Sequence, residues 1–180
     1  HVHPAAAERD LAYEGSGESC ETGFSPKKKK SKGDTAASPV SKENLAIAKS
    51  WLASSDEYNL LVNGTAITAF PVYYQNDLAL LRQSLRIVQA GTEVAEVKGK
   101  DLIPAHGLAM SRLLKTSVFP TEALTYEQAI AYLRKEAIVL PPSVPKGYVL
   151  VTYKEIPLGF VKNIGNRANN LYPQEWRIRS

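Results

Sequence analysis

Apolar residues recur at helical spacing in two stretches of the chain. Leu45, Ala48 and Leu52 lie three or four residues apart, which predicts an amphipathic helix near the start of the ordered sequence. Ser41 precedes them, and a serine in that position can cap a helix. The second stretch follows the tetrapeptide TYEQ at residues 125–128, which has the form of a capping box. Both segments are therefore predicted to be helices.

Strand patterns occupy much of the remaining ordered sequence. Two β-prone runs, YNLLV and TAITAF, flank an Asn-Gly pair at residues 63–64, which predicts a hairpin turn. GYVLVTY alternates, so residues 148, 150 and 152 should face one side and residues 149, 151 and 153 the other. Further strands are predicted in LRIVQAG, EVAEVKG and PLGFVKN. Short helices are predicted in NDLALLRQSL, capped by Asn76, and in IPAHGLAMSRLL, with Pro104 in its first turn. The predicted class is α+β.

The pattern fades in residues 1–42, which are rich in Ser, Gly, Pro and Lys. We expect a disordered basic linker or an upstream remnant there. The four lysines at residues 27–30 have two compatible interpretations, a solvated linker and a nonspecific phosphate-binding arm. Residues 43–83 are predicted to form a small α/β subdomain, and residues 84–180 a second domain.

Composition excludes several kinds of chemistry. The 180 residues include one cysteine, Cys20, so neither an internal disulfide nor a multi-cysteine zinc site is possible. Phosphate-loop, dinucleotide-binding and nucleophile-elbow motifs are absent, and carboxylates are scattered. His106 is interpreted as a capping or packing residue. We expect no catalytic residue and no metal site. The sequence has no apolar run of the roughly 20 residues that span a bilayer and no signal peptide at its start, so we expect a cytoplasmic protein without membrane contact.

The excess of positive charge lies in one segment of the chain. The formal net charge is +4, and residues 146–180 hold six basic and two acidic residues, which accounts for all of it. The stretch KNIGNRANNLYPQEWRIR combines cations for phosphates, asparagines for base edges and sugars, and aromatic rings for stacking. It predicts an RNA-contacting set: Lys162, Asn163, Arg167, Asn169, Asn170, Tyr172, Arg177 and Arg179. Leu171 and Trp176 are interpreted instead as packing residues.

The same residues carry a resemblance to a known family. GYVLVTY, PLGFVK and NLYP, followed by Arg177, are similar to the last domain of RsmF-type RNA cytosine methyltransferases of the Nop/Sun group. AGTEVAEVKGKDLIPAHGLAM resembles the opening of that domain. Residues 84–180 match well, residues 43–83 loosely, and residues 1–42 not at all. Phe160 stands where the family often has tryptophan, and Asn169 where it usually has lysine.

The resemblance implies a fold and a role. The fold would be a PUA-like mixed β-barrel with short helices that binds RNA. The implied parent enzyme methylates a cytosine of small-subunit ribosomal RNA, with S-adenosylmethionine and two cysteines in a separate catalytic domain. This chain has neither motif, so we expect no cofactor in it. Its implied partners are ribosomal RNA and that catalytic methyltransferase domain.

Two functions remain open at the level of sequence. The chain is either an RNA-binding and substrate-positioning module or a docking domain that packs on the catalytic domain with little RNA contact. A free-standing small enzyme is disfavoured by the lack of catalytic residues. An uncovered basic surface would favour the first function, and a large exposed apolar patch would favour the second.

Overall fold

The first helix begins where its capping residue predicts. The computed structural model describes residues 40–179, so the expectations for residues 1–39, including the lysine run, lie outside the described part. The Ser41 side chain accepts a hydrogen bond from the Asn44 backbone N–H at 3.1 Å and caps the helix. Val40 is buried, so residue 40 of the predicted linker belongs to the packed structure.

Four helices and eight strands follow in the described residues. The helices are α1 (Lys42–Ser50), α2 (Gln75–Ser84), α3 (His106–Ala109) and α4 (Tyr126–Leu133). The strands are β1 (Tyr58–Asn63), β2 (Ala66–Pro71), β3 (Thr92–Lys98), β4 (Asp101–Pro104), β5 (Thr121–Ala123), β6 (Gly147–Tyr153), β7 (Ile156–Asn163) and β8 (Ala168–Asn170). Single 3₁₀ turns lie at Ser55–Glu57, Val72–Tyr74, Thr116–Val118 and Gln174–Trp176. The capping box before α4 is present, because Thr125 and Gln128 exchange both hydrogen bonds.

The strands form two open sheets. The first is an antiparallel sheet in the order β1-β2-β3-β4, and the second has the order β5-β6-β7-β8 with β5 parallel to β6. The α+β class is confirmed. The predicted single barrel is replaced by these two four-stranded sheets, and no closed barrel occurs within residues 40–179. The first sheet joins strands from both sides of the predicted boundary at residue 83, and that boundary remains a prediction.

The second sheet separates two apolar cores. Leu150 and Phe160 face the first core, where they meet residues of α1, α3 and the first sheet. Val149, Val151 and Val161 face the second core, which α4 covers. The alternation predicted for GYVLVTY is therefore present, with apolar residues required on both sides because both faces of β6 are buried.

Several local predictions differ from the structure. The hairpin between β1 and β2 turns at Gly64 and Thr65, one residue later than predicted, with positive φ at Gly64 alone. LRIVQAG forms no strand, and Val88 in it is 92% exposed. Pro104 ends β4, so α3 shrinks to a single turn. Asn76 lies inside α2, which begins without a side-chain cap.

A glycine on β7 leaves room for the hydroxyl of Tyr132 on α4. Gly159 has φ of 146°, and a Cβ atom there would lie 2.1 Å from the Tyr132 hydroxyl oxygen. That hydroxyl is buried and donates a hydrogen bond to the Phe160 carbonyl at 3.2 Å. Burial raises the pKa of Tyr132 well above its ordinary value, so the hydroxyl stays protonated and keeps donating.

We predict that Gly159→Ala destabilises the protein by about 3 kcal/mol or more, because it combines backbone strain with a clash in a packed core. Gly99→Ala is the matched control, since Gly99 also has positive φ but open space around its Cβ position. The control substitution should lower the free energy of unfolding by about 1 kcal/mol. Urea unfolding of both variants measures the difference, and equal losses would contradict the packing role of Gly159.

Candidate nucleic-acid interface

The chain end runs back over the body of the protein after β7. A tight turn at residues 164–167 leads into β8, and the 3₁₀ turn Gln174–Trp176 follows. The Ile178 backbone N–H then donates to the Leu133 carbonyl at the end of α4, at 3.1 Å. The acid-poor segment is therefore anchored against α4, which determines which of its side chains can reach a ligand.

Two of the predicted RNA-contacting asparagines are hydrogen-bonded inside the protein. The buried Asn163 donates to the carbonyls of Val144 and Pro145 at 3.0 and 3.1 Å and accepts from the Gly165 N–H at 3.0 Å. Its amide therefore joins the turn after β7 to the loop before β6.

Asn170 forms a similar internal connection from β8 to α4. Its amide nitrogen donates to the carbonyls of Tyr132 and Glu136 at 2.8 and 3.0 Å. Its side-chain oxygen accepts from the Tyr172 N–H at 2.8 Å. The donors and acceptors of both amides are thus used to hold the chain end in place.

Lys162 is held by an acid from the other sheet. Its ammonium group lies 2.6 Å from the Asp101 carboxylate on β4 and 5.5 Å from the centroid of the Tyr148 ring. The hydrogen bond that the Lys162 ammonium group donates to the Asp101 carboxylate raises the pKa of Lys162. The lysine is therefore charged, but its charge is compensated locally. Its cross-strand neighbour Asn169 is exposed.

An aromatic cluster lies beneath the chain end. The half-buried Tyr172 ring packs edge-on against His106 and Tyr132, with centroids 5.1 and 5.4 Å away. The Lys135 ammonium group donates a hydrogen bond to the Tyr172 carbonyl. Trp176, interpreted from sequence as a packing residue, packs edge-on against His106, but its side chain is 58% exposed.

Three exposed arginines form the most basic surface of the chain end. Arg134, Arg177 and Arg179 line a shallow groove of about 210 Å³ together with Glu136 and Ile178. We call Arg134, Arg177 and Arg179 the arginine patch. None of them forms an ion pair with another described residue. Three guanidinium groups that line one groove suit a phosphate backbone.

Arg167 lies elsewhere, in the exposed turn between β7 and β8. The Lys146 side chain reaches the same turn, because its Cε atom lies 2.9 Å from the Cβ position of Gly165. Sequence reasoning did not single out Arg134 or Lys146. The signal for Lys146 was its place in the basic segment, whereas nothing local links Arg134 to that segment.

A cleft of about 720 Å³ lies beside the aromatic cluster. Residues of β3 and α3 form one side, and the 3₁₀ turn that ends at Trp176 forms the other. Burial raises the pKa of Glu93 in this cleft, and neighbouring Glu96 adds to the effect. Burial lowers the pKa of His106. Sequence reasoning missed Glu93, because its alternating strand carries no motif that marks it.

Within residues 40–179, no group of three or more His, Cys, Asp or Glu side chains is placed to hold a metal ion. No helix in the same part of the chain is long and apolar enough to cross a bilayer.

Comparison with known proteins identifies the kind of domain that contains the second sheet. Residues 119–178 match the sequence profile of the family described as the methyltransferase RsmF PUA domain. The segment that holds β5 to β8 and α4 is therefore a PUA-like domain. The resemblance of the chain's C-terminal region to RsmF-type methyltransferases is confirmed.

A curated relative extends the similarity beyond that domain. The ribosomal RNA small subunit methyltransferase F of Enterobacter sp. (strain 638) is 28% identical over 130 residues. The match covers 72% of this chain but 26% of that protein, so the chain spans about a quarter of its relative's length.

The lowered pKa of His106 predicts a loss of stability on acidification. The unfolded chain takes up a proton near the ordinary pKa of 6.5, before the folded chain does, so stability falls as the pH drops below that value. His106→Phe keeps a ring against Tyr172 and Trp176 but cannot titrate. We expect the variant to lose less stability between pH 7.5 and about 5.5.

Urea unfolding of both proteins at the two pH values measures this difference. His1 and His3 are unchanged in both proteins and therefore cancel in the comparison. The raised pKa of Glu93 acts in the opposite direction, since it favours the folded state on acidification, and it is also common to both. Identical pH dependence in the two proteins would refute the role of His106.

Proposed function

We propose that this chain is the RNA-binding and substrate-positioning part of an RNA cytosine-5 methyltransferase, acting on small-subunit ribosomal RNA in the cytoplasm. S-adenosylmethionine and the reacting cysteines would belong to a separate catalytic domain, and this chain would contribute no bond-making group. The PUA-like domain and the similarity to a ribosomal RNA small subunit methyltransferase support this proposal.

The arginine patch is the observation that carries the proposal. Arg134 and Arg177 lie within the PUA-like domain and Arg179 directly follows it; all three are exposed, and no described acid pairs with them. Guanidinium groups bind phosphate oxygens through paired, charge-assisted hydrogen bonds, and they retain their charge at every physiological pH. A patch of this kind gives RNA affinity without base specificity, as a positioning module requires.

We propose a narrower contact set than the one predicted from sequence. Arg167, Arg177 and Arg179 remain as phosphate contacts, and Asn169 remains as an exposed polar contact. We add Arg134, which lines the same groove as Arg177 and Arg179, and Lys146, whose side chain reaches the turn that contains Arg167. Asn163 and Asn170 are assigned to internal support, Tyr172 to packing, and Lys162 to the ion pair with Asp101.

We predict that replacing the arginine patch with alanine weakens binding to structured RNA at least tenfold at low salt. Each phosphate contact removed should also lower the salt dependence of binding by about one unit of log–log slope. Fluorescence anisotropy with a labelled ribosomal RNA hairpin, measured at several salt concentrations, gives both quantities.

The matched control is the triple alanine variant of Lys42, Arg112 and Lys115. It removes the same charge from exposed positions outside the patch. A general charge effect would weaken RNA binding by both variants equally, and that result would contradict the assignment of the arginine patch. Absence of RNA binding by the unaltered chain would contradict the proposed function itself.

An apolar surface favours docking as a second function. In α2 and the 3₁₀ turn before it, Leu78 is the one buried residue. Large apolar side chains with exposures from 43% to 92% lie in this region and in the loop after α2: Val72, Tyr73, Tyr74, Leu80, Leu81, Leu85 and Val88. We call these seven residues the α2 surface. A cluster of this kind is typical of a contact with another domain.

We propose that the α2 surface packs on the catalytic domain of the longer enzyme. This role is compatible with RNA binding, because the α2 surface and the arginine patch share no element. The two functions therefore divide the protein's surface between them.

We predict that Tyr73→Ser combined with Leu80→Ser weakens association with the catalytic domain of an RsmF-type methyltransferase by about tenfold or more. The reason is that two large apolar anchors are lost from the contact. Isothermal titration calorimetry measures the affinity. Val139→Ser is the control, since Val139 is 68% exposed outside this surface. Unchanged affinity in the double variant would argue against docking through α2.

A further inference from the structure

The cleft beside Trp176 differs in character from the arginine patch. We propose that it holds one unpaired nucleobase of the bound RNA, of a kind that carries an exocyclic amino group. This inference rests on the proposed RNA binding, because the base would belong to the bound RNA. It concerns different residues and a different kind of contact.

The cleft offers a stacking face at its rim. Trp176 is 58% exposed, and its ring meets His106 edge-on at 5.3 Å and 82°. His106 is itself held edge-on by Tyr172 at 5.1 Å. The indole is thus supported at one side and open at another. An exposed aromatic face on a supported ring is the usual platform for an unpaired base.

The charges inside the cleft suit a base better than a phosphate. Three carboxylates line it, those of Glu93, Glu96 and Glu175, against the ammonium groups of Lys98 and Lys135. Lys135 is already engaged by the Tyr172 carbonyl. The excess of carboxylates repels a phosphate, whereas a carboxylate accepts hydrogen bonds from the amino group of cytosine and similar donors.

Glu93 is the carboxylate best placed to accept such a bond. It lies on β3 beside Gly107, whose Cβ position would be 3.8 Å from the Glu93 Cβ atom. Among described residues, no hydrogen bond or ion pair occupies its side chain. Burial raises its pKa, and the nearby Glu96 carboxylate adds to the effect. An amino group from a base would supply the missing donor.

The cleft and the arginine patch adjoin each other at two points of the chain. Trp176 lines the cleft and Arg177 lines the patch, and the same holds for Lys135 and Arg134. Consecutive Cα atoms are about 3.8 Å apart. An RNA strand whose phosphates bind the arginine patch can therefore place one base in the cleft.

The test compares two labelled RNAs of equal length, a hairpin with an unpaired cytosine and adenine loop and a blunt duplex. Trp176→Ala should weaken binding of the loop RNA by roughly tenfold, the scale of one base–aromatic stack, and leave duplex binding unchanged. Trp176→Phe should restore most of the loss, since it keeps a ring. Glu93→Gln should reduce the preference for cytosine or adenine over uracil in the loop.

A spectroscopic measurement locates the base. The chain has two tryptophans, and the other, Trp51, is buried in the first core. Loop RNA should therefore quench the tryptophan fluorescence of the unaltered chain, and it should quench the fluorescence of the Trp176→Phe variant far less. Circular dichroism checks that each variant is folded.

The outcomes separate this inference from the proposed function. If both RNAs bind and Trp176→Ala changes neither affinity, the base site is refuted while RNA binding stands. If neither RNA binds the unaltered chain, the proposed function fails and the base site fails with it. Quenching by free cytidine or adenosine monophosphate without binding of loop RNA also overturns the proposal, because it places a free nucleotide in the cleft.

Discussion

The burial of β6 and β7 on both faces is the constraint on which the rest of the structure depends. Leu150 and Phe160 complete one core, and Val149, Val151 and Val161 complete the other. The first sheet, α1 and α3 need one face of this hairpin, and α4 needs the opposite face. A polar residue at any of these positions would remove contacts from one core without relieving the other.

This constraint explains which parts of the fold could be predicted from sequence. The caps at Ser41 and Thr125 and the alternation of GYVLVTY are local signals, and each was read correctly because its cause lies within a few residues. The barrel was replaced by two open sheets, because strand order depends on pairings such as β5 with β6 across almost thirty intervening positions. LRIVQAG has the composition of a strand, but no strand of the described sheets pairs with it.

The candidate site was predictable in composition and less so in detail. Asparagine offers the same amide to an RNA base and to a backbone carbonyl, so sequence cannot distinguish the two uses. Asn163 and Asn170 turn inward because buried carbonyls at loop ends need donors. Trp176 was interpreted as a packing residue, and the final 3₁₀ turn leaves its packed ring exposed at the side of a cleft. Arg134 joins the patch through tertiary packing alone.

The anchoring of the chain end has a consequence for biosynthesis. Phe160 and Leu171 belong to the first core, although most of that core is translated much earlier. The nascent chain therefore exposes the apolar faces of its first sheet until β7 has left the ribosome. Arg177 and Arg179 emerge after the residues of both cores. A chain that terminates early would lack its charged surface and would also display uncovered apolar strands, which marks it for aggregation or removal by cellular quality control.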